Sequence, residues 1–162
     1  MVGVAFLVLR PSVGATDGPL INGRNVISVG ERVSAGETMT WGTIVPANPT
    51  AEPITITAVE PLTVTGVEVI QIVVNGPASE GAIGAVRGFP PPGVSIHPVS
   101  GYVLPPAGSP TPYRQILVAA CLSPAATIGS IGGLRVTYQS GGHSYTLVIP
   151  GTLTLTLAAP SS

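Results

Sequence analysis

Lysine is absent from this sequence, aspartate occurs once (Asp17), cysteine once (Cys121), and charged residues fill only 8% of 162 positions. An ordinary soluble domain carries roughly 25%. Each shortage removes a class of function. The six basic residues, Arg10, Arg24, Arg32, Arg87, Arg114 and Arg135, stand singly against seven acids, for a net charge of −1. Nucleic-acid binding needs a basic stripe that neutralises several phosphates, so no nucleic-acid partner is expected. Nor is there a polybasic cluster for docking on anionic lipid. One cysteine cannot close an internal disulfide, so packing alone must hold the fold. Cys121 lies in the apolar run Gln115–Leu122 (QILVAACL) and reads as a small buried hydrophobe. No base stands near it in sequence to make the thiol reactive.

Groups that carry chemistry are as scarce. His97 precedes a proline and His143 follows a Gly-Gly pair; they are far apart, and no acid is close to either. A Ser–His–Asp arrangement would have to recruit Asp17, and GxSxG does not occur. The soft metal ligands (two histidines, Cys121, Met1 and Met39) show no C-x₂-C or H-x₃-H spacing. Glu31, Glu37, Glu52, Glu60, Glu68 and Glu80 read as solvated acids beside turns rather than a glycosidase pair. Gly129–Gly133 (GSIGG) is followed by no helix that would make a phosphate site, and reads as a loop between strands. Asn48-Pro49-Thr50 is blocked as a glycosylation acceptor by its proline. Trp41, Tyr138 and Tyr145 read as packing residues in preference to a sugar platform. The sequence therefore assigns no catalytic, cofactor-binding or metal residue, and the expectation is a protein that is not an enzyme and has no cofactor.

What the chain has in quantity is glycine (21), proline (18) and hydrophobic residues (44%). So much apolar content excludes a charged disordered tail, and Gly and Pro every few positions exclude helical bundles. The glycines show no three-residue period, which excludes collagen. β-Branched segments bounded by Gly or Pro recur instead. Val26–Val29, Thr38–Val45, Ile54–Val59 with Thr63–Thr65, and Val67–Val74 read as strands. Between Ala78 and Pro112 prolines leave room only for short edge strands, at Ile83–Arg87, Val94–Ile96 and Tyr102–Leu104. Arg114–Leu122, Leu134–Gln139, Ser144–Ile149 and Thr152–Leu157 (TLTLTL) complete the set. Ser140-Gly141-Gly142-His143 makes Leu134–Ile149 a hairpin, and Pro150-Gly151 a bend. About eight to ten strands without a helix predict an all-β, two-sheet antiparallel sandwich.

The domain is expected over 25–157, with a plain tail at 158–162. Residues 1–24 read as an apolar N-terminal segment and linker. Met1–Leu9 (MVGVAFLVL) is too short to span a membrane, which takes about 20 apolar residues. It reads as the end of a truncated membrane anchor, with a buried first strand as the competing expectation.

Three stretches carry a resemblance: Gly30–Asn48 (GERVSAGETMTWGTIVPAN), Pro53–Val59 with Gly66–Val69 (GVEV), and Tyr113–Tyr138 with its continuation through Tyr145. Together with the step Asn48–Ile54 into a β-branched strand, they resemble small immunoglobulin-like ectodomains of high-GC Gram-positive bacteria. The resemblance implies a sandwich behind a short anchor, located outside the cytoplasm, and assigns no residue a role. The expected function is a non-catalytic extracytoplasmic module, in the cell envelope or secreted, that binds a protein partner or serves as envelope structure. If Met1 is the true start, the expected location is instead the cytoplasm. The alternative is a self-assembling filament or shell subunit. It is motivated by low charge and by edges expected to carry only Thr, Ser, Gly and Pro, where natural edges carry charge. No small-molecule substrate is identified.

Overall fold

The computed structural model describes residues 17–22, 26–76, 83–109 and 114–159. Its strands are β1 (Ile27–Val33), β2 (Met39–Ile44), β3 (Ile54–Thr65), β4 (Val67–Asn75), β5 (Ala85–Arg87), β6 (Ile96–Pro98), β7 (Tyr102–Leu104), β8 (Gln115–Leu122), β9 (Ile128–Ser140) and β10 (His143–Leu157). They form two five-stranded sheets, ordered β1-β10-β9-β3-β7 and β5-β2-β8-β4-β6. Setting aside the three-residue strands β5, β6 and β7 leaves seven in chain order. Of these, β2, β8 and β4 stand where strands B, E and D of an immunoglobulin fold stand, and β3, β9 and β10 where C, F and G stand. The chain is an all-β, immunoglobulin-like sandwich.

Four local expectations change. The pairing is not wholly antiparallel: β1 runs parallel to β10, with Ile27 opposite Gly151 and Val33 opposite Leu157. A parallel pair needs a long crossover, and here nearly the whole domain lies between the two strands. Gly129–Gly133 is not a loop but the first half of β9, paired through Gly132 and Ser130 with β10. Glycine belongs there because a Cβ on Gly129 would stand 2.4 Å from the Gly66 carbonyl oxygen. Pro150-Gly151 does not end a strand; β10 passes through it with a bulge between Ile149 and Thr152. Gly151 has φ +145°, and a Cβ there would come within 2.9 Å of the Trp41 ring, so the bulge is where the indole packs. Finally, β3 continues through Pro61. β7 covers only Ile54–Ile56 of it, so the missing proline N–H falls on an open edge.

The core lies between the sheets. Trp41, Ile54, Ile56, Ile116, Val118, Leu134, Val136, Tyr138, Leu147, Leu153 and Leu155 are buried there. Asp17–Asn22, read from the sequence as linker, is docked on the sandwich. Asp17 Oδ1 accepts from the Thr146 N–H (2.6 Å), and Leu20 is buried with its N–H donating to the Tyr138 hydroxyl (3.2 Å). Ile21 and Ala47 exchange backbone hydrogen bonds of 3.0 and 2.9 Å. The apolar run 1–9 lies outside the described residues. Among the described residues no helix is long and apolar enough to cross a membrane.

The two outer faces differ. That of the first sheet carries two rows in register, Ser28–Thr152–Gly132–Thr63 and Gly30–Thr154–Ser130–Thr65. On the second sheet Leu117, Ala119, Val73 and Thr40 alternate with the core residues, so they point outward, yet all are buried. The connection 88–95 carries the chain from β5 at one edge of this sheet to β6 at the other. The inner face is filled by core, so the crossing lies outside it, and Pro91 within it is itself buried. The edges are also better guarded than expected: β1 carries Glu31 and Arg32, and Arg87 on β5 forms an ion pair with Glu37.

A candidate binding cleft at Arg114

A cleft of about 310 Å³ opens at one end of the sandwich, lined by the segments 44–48 and 104–109 with Tyr102 and Arg114. Prolines make it. β2 stops at Ile44 ahead of Pro46, and β7 stops at Leu104 ahead of Pro105-Pro106, because proline cannot donate to a ladder. Two loops therefore leave their sheets side by side. Asn48 ties them together. Its Nδ2 donates to the carbonyls of Glu52 (2.8 Å), Pro105 (3.1 Å) and Leu104 (3.4 Å). Its Oδ1 accepts from the Thr50 N–H (3.0 Å) and Thr50 Oγ1 (2.7 Å), an Asx-type turn. The Ala107 N–H donates to the Thr50 carbonyl at 2.8 Å. The bridge between Ile21 and Ala47 supports the same loop from the side of the docked N-terminal segment.

Among the described residues Arg114 is the charged residue of the lining, and no acid lines the cleft with it. Its guanidinium lies 5.4 Å from the centroid of the nearly buried Tyr102 ring, and Nη1 donates to the Tyr102 hydroxyl. Its Nε is buried and has no hydrogen-bond acceptor. Among the described residues the ion pair is Arg87–Glu37, so Arg114 has no carboxylate. The ring contact and the hydroxyl hydrogen bond hold the guanidinium in place without neutralising it. The result is an under-satisfied cation in a proline-walled cleft on a braced scaffold.

The residues weighed from the sequence lie elsewhere. His97 is exposed on β6 of the second sheet, and His143 is exposed at the β9–β10 turn of the first. Cys121 is not fully buried as expected. It is half-exposed on the outer face of β8, directly across from Glu68. Partial burial, then the Glu68 charge, push its thiol pKa up, which keeps it protonated and unreactive. Tyr138 is buried, and its ring packs against Tyr145 with centroids 5.7 Å apart. Trp41 is buried as well, so neither ring faces outward as a sugar platform would. No group of three or more His, Cys, Asp or Glu side chains placed to hold a metal occurs among the described residues.

Arg114, Tyr102 and Asn48 were not singled out by sequence reasoning. Arg114 read as one of six scattered arginines, and Asn48 as a blocked glycosylation acceptor. The available signal was the proline density on either side of Arg114. Comparison of the chain with protein-family models, with curated proteins and with solved structures finds no match in any of the three.

Proposed function

We propose that this chain is a non-catalytic, extracytoplasmic immunoglobulin-like module that binds a partner or serves in the cell envelope, and that the cleft at Arg114 is its binding site. The observation that carries the reading is the combination of a preformed cleft with a cation that the protein itself leaves uncompensated. Clefts of roughly 300–1,000 Å³ with apolar walls and a few polar groups are the usual form of a binding site. The immunoglobulin-like sandwich adds support, because its end loops are where such folds place recognition surfaces. The resemblance to ectodomains of high-GC Gram-positive bacteria supports the location.

Two measurements test it. Backbone-amide NMR of the ¹⁵N-labelled chain, screened against small fragments, should show shifts concentrated at 44–48 and 102–109. Shifts scattered over the sheets, or none, would sink the assignment of the cleft. Fractionation of native cells should place the protein outside the cytoplasm; recovery in the cytosol would overturn the location.

A self-assembling subunit is the second reading, favoured by the flat Ser/Thr/Gly rows on the first sheet, which present almost no charge. It predicts a sedimentation coefficient that rises with concentration at micromolar levels. The binding-module reading predicts a concentration-independent monomer.

A further inference from the structure

Resting on the binding-site reading above, we infer that the cleft recognises a carboxylate: a monoanionic head on Arg114 with an apolar tail against the proline walls. Four observations lead there. First, the guanidinium carries a full positive charge into a site that no acid among the described residues lines. Among the described residues its hydrogen bond is the one from Nη1 to the Tyr102 hydroxyl. A guanidinium has five N–H donors in a planar fork, so most of that capacity is unused. Second, the buried Nε has no acceptor, so the surrounding chain does not fully satisfy the group, and a ligand in the cleft would meet the Nη groups rather than Nε.

Third, the geometry selects the kind of anion. The Arg114 guanidinium carbon lies 5.4 Å from the Tyr102 ring centroid, and the hydrogen bond to the Tyr102 hydroxyl anchors it there. A planar carboxylate can meet a planar guanidinium with two parallel hydrogen bonds. A phosphate carries more charge, and phosphate sites ordinarily add a second cation or a helix N-terminus to oppose it. The lining holds one cation, and the described chain has no helix. Fourth, part of the wall is apolar: Ile44, Pro46, Leu104, Pro105 and Pro106 stand beside the polar Asn48 and Ser109. The apolar part can bury a hydrocarbon tail.

Two sources supply this chemistry, a small carboxylic acid and the C-terminal carboxylate of a peptide. Both are distinguished by pairing each acid with its neutral amide. The ¹⁵N-labelled chain is titrated with hexanoate and hexanamide, then with acetyl-Pro-Leu bearing either a free carboxylate or a C-terminal amide. At least one acid should bind tenfold or more tightly than its amide, with shifts at 45–48 and 104–109. Whichever acid binds tighter assigns the source. In Arg114→Gln the acid should fall to the level of its amide, and in Arg114→Lys the preference should shrink without vanishing. Acid and amide binding equally well in the cleft would overturn the carboxylate inference and leave the binding site standing. No shift at the cleft with any of the four probes would overturn both. The acid–amide comparison on the unaltered chain decides the matter even if a variant does not fold.

Discussion

The second half of β10 and the whole of β8 are each flanked by a strand on both sides, yet they meet opposite surroundings. In Thr152–Leu157 leucine alternates with threonine; Leu153 and Leu155 are fully buried, while Thr152, Thr154 and Thr156 face out. In Gln115–Leu122 no polar residue interrupts the run after Gln115, and every position but Cys121 is buried. The first pattern is that of a strand with one wet face, the second of a strand covered on both. The difference teaches that the outer face of the second sheet is a second apolar layer, whereas the outer face of the first is a hydroxyl-bearing surface. A substitution at a nominally outward position should therefore behave in opposite ways on the two sheets.

The sharpest way to break that comparison is to place the same charge on both outer faces. Ala119→Asp puts an unpaired carboxylate at a fully buried site, and should destabilise by about 3–5 kcal/mol or prevent folding. Thr154→Asp should change stability by no more than about 0.5 kcal/mol in urea unfolding. Equal effects would mean that the second sheet's outer face is not a packed layer. Next in size is Leu117→Ala, at roughly 2–5 kcal/mol although Leu117 points away from the central core. A loss below about 1 kcal/mol would show that its cover does not pack against it.

A smaller effect is expected at the edge of the same layer. Gln115 Oε1 accepts from the Ile83 N–H (2.6 Å) and Nε2 donates to the Ile83 carbonyl (2.8 Å), a side chain standing in for a strand. Removing it in Gln115→Ala leaves both backbone groups unpaired and should cost about 1–3 kcal/mol. Hydrogen exchange at Ile83 would accelerate at the same time.

The smallest effect is electrostatic. Hydrogen bonds from Arg87 and from the Ser34 N–H hold the Glu37 carboxyl below its ordinary pKa. A depressed carboxylate stabilises the fold above its unfolded pKa, and that contribution disappears as pH falls through the folded value. The parent should therefore be more stable than Glu37→Gln above the ordinary carboxylate range, and the two should converge as the pH falls below it. Because the pair is exposed, the difference should also shrink as salt is raised. A difference that persisted at low pH and high salt would point to a packing role for Glu37.

Much of the fold was legible in local pattern. The Ser140–His143 turn, the alternation after Gly151 and the short edge strands follow from turn chemistry and side-chain period, which act over a few residues. Gly129–Gly133 was misread because glycine is a poor strand residue locally. Its reason to be there is the Gly66 carbonyl, brought close by the fold from more than sixty positions away in sequence. Asp17–Asn22 was misread for the same cause, since its partners Thr146, Tyr138 and Ala47 are distant in the chain.

The candidate site was the least legible part. Asn48, Tyr102 and Arg114 belong to three segments, and no local spacing relates them. Composition and periodicity alone determined that the described residues form strands without helices, that these pack as two layers, and that no internal disulfide is needed. Those outcomes depend on side-chain volume, β-branching and the frequency of glycine and proline. Only the tertiary structure decided that β1 lies parallel to β10, that β8 is buried on both faces, and that one arginine faces a cleft without a counter-charge. Each of these depends on which distant segments meet, and that is set by the closure of the two sheets rather than by any stretch of sequence.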